Sequence, residues 1–266
     1  MKYIERKTML YKTGVEYGDY TMNHVQGCAH GCKYPCYAFL MAKRFGKVSS
    51  YDDWLRPCLV SNTLEILDKE IPKLKKRIQS VQLCFTTDPF MYGYDEIETM
   101  TLSAVKKLNN AGIKCTLLTK GILPAELSNY SKENEYGITI ISLDEVYREH
   151  FEPGAASYKD RISALKGLHD SGCTTWVSIE PYPTPNLIQQ DIFEILEEVG
   201  FVDKIIFGRT NYSKEISAYK EHKQFYNEQA KMVIEYCQQH NIRYHIKTGT
   251  ITKEFENIIE MNDKNK

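Results

Sequence analysis

No run in this 266-residue chain approaches the roughly 18 consecutive apolar residues that a membrane-spanning helix needs, so no transmembrane segment is expected. The N-terminal stretch MKYIERKTMLYKTG is charged and lacks the apolar core of a secretory signal, which makes a cytoplasmic protein the expectation. A surplus of charge of either sign is also missing. Thirty-four Lys and Arg stand against 35 Asp and Glu, a formal net charge of −1. There is thus no global basic field of the kind that supplies non-specific nucleic-acid affinity. Internal repeats, low-complexity tracts and linkers are absent as well. With 42% hydrophobic and 26% charged residues, the composition is that of an ordinary globular protein. One domain over residues 1–266 is expected, with a core at 18–248, a leader at 1–17 and a tail at 255–266 that frays.

What the sequence does hold is a concentration of thiols. Three of its eight cysteines, Cys28, Cys32 and Cys36, fall in the stretch Gly27-Cys28-Ala29-His30-Gly31-Cys32-Lys33-Tyr34-Pro35-Cys36-Tyr37. Gly31 and Pro35 between them argue against a helix, because an interior proline removes a hydrogen bond and clashes with the preceding turn. A loop whose sulfurs converge is the better reading. In a reducing compartment such a group binds a soft metal centre: zinc, which wants four closed ligands, or an iron-sulfur cluster. Cys58, Cys84, Cys115, Cys173 and Cys237 are scattered and read as small buried hydrophobes.

Along the chain, strand-like and helix-like segments alternate. Expected strands are 19–25, 81–85, 114–119, 138–143, 174–179, 204–208 and 242–246, with helices at 37–45, 61–78, 101–110, from about 124, 159–170, 187–199 and 226–240. This rhythm means a parallel sheet with crossover helices, an α/β fold read as a partial barrel of about six β/α units. The basic run Lys73, Lys75, Lys76 and Arg77 reads as a solvated helix end, with phosphate contact as the minority reading.

In such folds the chemistry collects at the C-terminal ends of the strands. The first strand runs into the cysteines, and the next ends are Thr86-Thr87-Asp88-Pro89, Thr119-Lys120-Gly121, Ser142-Leu143-Asp144, Glu180-Pro181-Tyr182 and Arg209-Thr210-Asn211. Each group taken singly is equally explained by turns and caps. Lys120 stands out, because a lysine straight after an apolar strand can meet a carboxylate ligand. Glu152 and Arg161 read as a structural pair, and Glu180 as a ligand contact or a partner for a nearby cation.

These residues resemble the radical S-adenosylmethionine (SAM) enzymes and, within them, the group related to spore photoproduct lyase. The cysteine stretch is similar to that group's Gly-Cys-x-His-Gly-Cys-x-Tyr-Cys-Tyr-Ala, with one extra residue, Pro35. Thr86-Thr87-Asp88-Pro89-Phe90 resembles its Thr-Asp-Pro-Tyr motif, and 151–156 with Arg161 its Glu-Pro-x-Ala segment. The resemblance implies a 4Fe-4S cluster on Cys28, Cys32 and Cys36. It also implies SAM contacts from Thr86, Thr87 and Asp88 to the amino group, from Lys120 to the carboxylate, from Ser142 to the ribose, and from Glu180. Reductive cleavage of SAM would then give a 5'-deoxyadenosyl radical that abstracts hydrogen, with an electron donor such as a flavodoxin or ferredoxin as partner. Phe85, Phe90, Met91, Tyr92 and Tyr94 are candidates for the substrate side. The hydrogen-donor cysteine of the lyase itself falls here on Phe85, with Cys84 one residue away, so thymine-dimer repair does not carry over. The substrate stays open, a nucleic-acid lesion or nucleotide among the choices. The alternative is a zinc-binding or iron-sulfur electron-transfer module without SAM chemistry, closed by His24 or His30.

Overall fold

The computed structural model describes residues 1–257. They divide into two compact units, Met1–Ile138 with Glu145–Thr175, and Thr139–Asp144 with Trp176 onward.

The first unit carries the strands β1 (Tyr20–Met22), β2 (Ser80–Leu83), β3 (Lys114–Thr119) and most of β4 (Glu135–Thr139). They pair in parallel, with Met22 opposite Leu83, Val81 opposite Cys115 and Leu117 opposite Tyr136. Such buried parallel strands are rich in branched and aromatic residues because both faces are covered. The covering helices include α1 (Tyr37–Arg44), α2 (Thr63–Leu74), α3 (Asp95–Asn110), α4 (Glu145–Phe151) and α5 (Tyr158–Asp170). Helix α3 buries Ile97, Thr101, Ala104, Val105 and Leu108, the three- and four-residue spacing of one helical stripe. Ser157 caps α5 by accepting from the Asp160 N–H.

The second unit pairs β5 (Thr174–Tyr182), from Trp176 on, with β6 (Lys204–Arg209) and β6 with β7 (Arg243–Ile246), again in parallel. Helix α6 (Ile192–Val199) is capped by Asp191 and buries Ile192, Ile195, Leu196 and Val199; α7 spans His222–Gln239.

Several boundaries differ from expectation. The fourth strand begins at Glu135, three residues before the apolar run, because Glu135 pairs with Lys114 across the ladder at 2.7 Å and so satisfies its buried end. In place of a helix after Pro124 there is only a 3-10 turn, Ala125–Asn129. Within the leader 1–17, Lys2–Ile4 pairs with Cys58–Val60, and Met9 and Leu10 are buried beneath Glu70, which accepts from both backbone N–H groups. Of the tail expected to fray, residues 255–257 belong to a helical turn and the rest lies outside the described residues. Residues 75–77 of the basic run are exposed, the solvated helix end that was expected. Among the described residues no helix is long and apolar enough to cross a membrane.

Candidate active site

The cysteine loop leaves a small sheet in which Val25–Gln26 pairs with Cys58–Val60. Gly27 has φ +89, and a Cβ there would stand 2.7 Å from the Trp54 carbonyl. Only glycine lets the chain come that close, and the Cys28 N–H then donates to the Trp54 carbonyl at 2.9 Å. At its other end the loop passes into α1, where Cys36 precedes the first helical residue.

Between its ends the loop is pinned by the segment 151–156. Lys33 N donates to Phe151 O at 2.8 Å, and Gly154 N to His30 O at 2.9 Å. Gly154 has to be glycine, since a Cβ there would lie 2.2 Å from Ala29 O.

The three thiols are half-buried and feel one another's charge. Burial first, then the neighbouring Cys32, Asp88 and Cys36, push the Cys28 thiol well up. Burial also raises Cys32, against the pull of Lys120, and raises Cys36, against hydrogen bonds from the backbone of α1.

Asp88 is the hub behind the loop. It is 4% exposed, and its two oxygens accept from the Phe90 N–H at 2.8 Å, Thr119 Oγ1 at 2.6 Å, the Lys120 N–H at 2.8 Å and His30 Nε2 at 2.8 Å. Burial alone would raise this carboxyl, but the charge of His30 and these hydrogen bonds outweigh it and hold the group below the usual carboxylate range. One buried anion therefore ties the cysteine loop, through His30, to the ends of β2 and β3.

Lys120 starts a second network. Its Nζ lies 2.9 Å from Glu152 Oε1 and 3.6 Å from Cys32 Sγ, and it also bonds the Tyr34 hydroxyl. Tyr34 in turn donates to Glu152 Oε1 at 2.6 Å, and Arg161 donates to Glu152 Oε2 at 2.9 Å. Glu152 and Arg161 are fully buried, which bears out their reading as a pair. Burial opposes the charge on Glu152, yet Lys120 and Arg161 together keep its carboxyl low.

The remaining expected site residues are placed as follows. Thr86 donates its N–H and hydroxyl to Asn23 Oδ1, both at 3.0 Å, and Thr87 Oγ1 lies 3.4 Å from Val25 O, so both brace the end of β1 beside the loop. Ser142 belongs to the second unit, where it is buried and its Oγ accepts from the Asp144 N–H. Glu180, in the same unit, pairs with Lys247 at 3.2 Å, the cation-partner role foreseen for it. Phe90 and Met91 are core residues rather than a surface for substrate, Met91 accepting from the Ala29 N–H through its sulfur; Tyr92 is exposed. Cys58 is only half-buried, unlike the other four scattered cysteines.

Sequence reasoning missed what Cys84 does. Its backbone is left-handed, φ 52, and its thiol lies 3.5 Å from His24 Nδ1. His24 Nε2 is 2.7 Å from Thr101 Oγ1, whose own hydrogen goes to the Pro89 or Ile97 carbonyl. The histidine is thus protonated on Nε2 and accepts from the thiol, and burial pushes that thiol up to about 12. No motif carries this signal.

Both histidines offered as a fourth zinc ligand are committed elsewhere, His24 to Thr101 and His30 to Asp88. Among the described residues no three His, Cys, Asp or Glu side chains gather closely enough to hold a single metal ion.

The profile of the radical SAM superfamily matches residues 22–199. Uncharacterized protein ORF301 of Acidianus two-tailed virus is 26% identical over 195 residues, a match that covers 70% of this chain and 64% of the viral protein. Uncharacterized protein MJ0683 of Methanocaldococcus jannaschii is 25% identical over 222 residues, covering 82% and 81%. Among solved structures, spore photoproduct lyase complexed with dinucleoside spore photoproduct superposes with a TM-score of 0.65 at 16% identity, over 91% of this chain and 80% of the lyase. A double mutant of that lyase, with AdoMet also bound, gives 0.67. At such identity the likeness speaks for the fold alone, an open α/β barrel of the expected class. The profile match runs from the end of β1 to the end of α6 and takes in the whole cysteine loop, and on that ground the chain belongs to the radical SAM superfamily.

Proposed function

We propose that Cys28, Cys32 and Cys36 hold three irons of a 4Fe-4S cluster and that the enzyme cleaves SAM reductively to begin hydrogen abstraction from an organic substrate. The observation that carries this reading is the set of three half-buried thiols on one loop, with Lys120 against Cys32 and the loop held by Asp88 and by 151–156. The donor set fits the group. Burial raises all three thiols, and a bound cationic centre would compensate the charge of their thiolates. Three sulfurs also leave one iron open to another ligand.

When bound, the cluster and SAM supply one-electron cleavage of a carbon-sulfur bond and hence a carbon radical. The chain's own residues do the positioning. Asp88 orients the loop through His30, and Thr86 and Thr87 fix the strand end next to it. Lys120, whose N–H donors lie on Glu152, Tyr34 and Cys32, contributes its positive charge toward the carboxylate of SAM. An electron donor of flavodoxin or ferredoxin type supplies the reducing equivalent.

For the substrate we propose a nucleotide or nucleic-acid component, supported by the shared fold with a lyase solved with a dinucleoside. The lyase's own reaction does not carry over residue by residue. Phe85 stands where the hydrogen-donor cysteine would be, and the Cys84 thiol is turned to His24.

The test is anaerobic purification with iron and sulfide analysis, then reduction with dithionite in the presence of SAM. About four irons per chain and release of 5'-deoxyadenosine are expected. A fully loaded protein that never forms this nucleoside would refute the enzymatic reading.

A further inference from the structure

We propose that Lys120 tunes the reduction potential of the cluster by donating from its ammonium to Cys32 Sγ, and that Glu152, Arg161 and Tyr34 exist to hold it there. The inference rests on the cluster assignment above and goes beyond the contact to SAM.

A lysine ammonium has three N–H bonds. Here the three find Glu152 Oε1 at 2.9 Å, the Tyr34 hydroxyl, and Cys32 Sγ at 3.6 Å. The lysine is therefore fixed with one donor on the sulfur. The charge arithmetic of the group is unequal. Glu152 can neutralise one cation, and it is shared by Lys120 and Arg161, each 2.9 Å from one of its oxygens. Lys120, Arg161 and Glu152 sum to +1, so the group carries a net positive charge, and the member of it that touches the thiol is Lys120.

The three corners are not alike. Cys28 feels the negative charge of Asp88, and Cys36 meets backbone N–H groups of α1. Cys32 alone among these three is given a lysine contact. A cation and a hydrogen bond at a cluster sulfur favour the reduced, more negative state and raise the potential. The effect is large at a site with little water to screen it.

The experiment is an EPR-monitored redox titration of the reconstituted holoenzyme without SAM, comparing wild type with K120M, K120R and E152Q. Leaving SAM out separates tuning from any SAM contact. K120M is expected to be harder to reduce by about tenfold in the equilibrium constant, 59 mV for one electron. E152Q, which removes a negative charge, is expected to shift the other way, and K120R to stay close to wild type. A loaded K120M with the wild-type potential overturns the proposal. So does loss of iron in both K120M and E152Q, because the group is then only a brace. If wild type itself holds no four-iron cluster, the failure belongs to the proposed function instead.

Discussion

Replacing Asp88 by asparagine keeps the shape of the side chain and removes its charge. The carboxylate accepts four hydrogen bonds, two on each oxygen, in a place that is 4% exposed. Asparagine offers one acceptor oxygen. If that oxygen keeps Thr119 and the Phe90 N–H, the new amide group confronts His30 Nε2 and the Lys120 N–H, two donors that face a donor. Each buried donor left without an acceptor costs about 1–3 kcal/mol, more when the lost bond was charge-assisted. The sum is about 3–5 kcal/mol. For a chain of this size each kcal/mol moves the melting temperature by about 2–4 °C, so D88N is expected to melt roughly 10 °C lower. Circular dichroism melts of the anaerobic apoprotein read this directly, and iron content after reconstitution reads the consequence for the loop. In a double-mutant cycle with His30→Gln, a coupling of about 1.5–3 kcal/mol should appear, the share of the charge-assisted bond. A D88N protein that melts within about 2 °C of wild type, with full iron, would refute the hub.

Three further outcomes follow from the same geometry. His24 is buried and its pKa falls from 6.5 to about 3, through burial first and the charge of Arg6 second. Between those values the unfolded chain binds the proton and the folded one does not, so stability falls as pH drops through 6.5 toward 3. The loss from pH 7 to pH 5 is about 2 kcal/mol, visible as a lower urea midpoint in wild type and missing from this share in H24Q. G154A pushes a methyl group to 2.2 Å from Ala29 O, so about 1–3 kcal/mol of stability and much of the iron should be lost; wild-type iron in G154A would contradict the clamp. Deleting Pro35 shortens the path between Tyr34, bonded to Glu152 and Lys120, and Cys36 at the start of α1. Iron content is expected to drop, and an unchanged cluster would mark the extra residue as slack.

The ends of strands were readable because turn chemistry and an apolar run meet there, and that sufficed to find Asp88 and Lys120. What each does was not readable. Asp88 could have faced a ligand, and only the fold shows that its oxygens are already filled by His30, Thr119, Phe90 and Lys120. Likewise Lys120 meets Glu152 across 32 positions of sequence, through a return of the chain that no local pattern encodes. Short elements were lost for a related reason. Helix α4 spans seven residues, too few for a periodic stripe to emerge. The fourth strand starts ahead of its apolar run, because Glu135 reads as polar until Lys114 is seen beside it. Cys84 read correctly as buried, yet its left-handed backbone and its bond to His24 depend on tertiary packing.

The central claim is that this loop holds a cluster on which SAM is cleaved. Its most direct measurement is 5'-deoxyadenosine formation by the anaerobically reconstituted enzyme, side by side with a Cys32→Ala variant. The account predicts about four irons and steady nucleoside release in wild type, and neither in the variant. Equal nucleoside release from both proteins, or none from a fully loaded wild type, would contradict it.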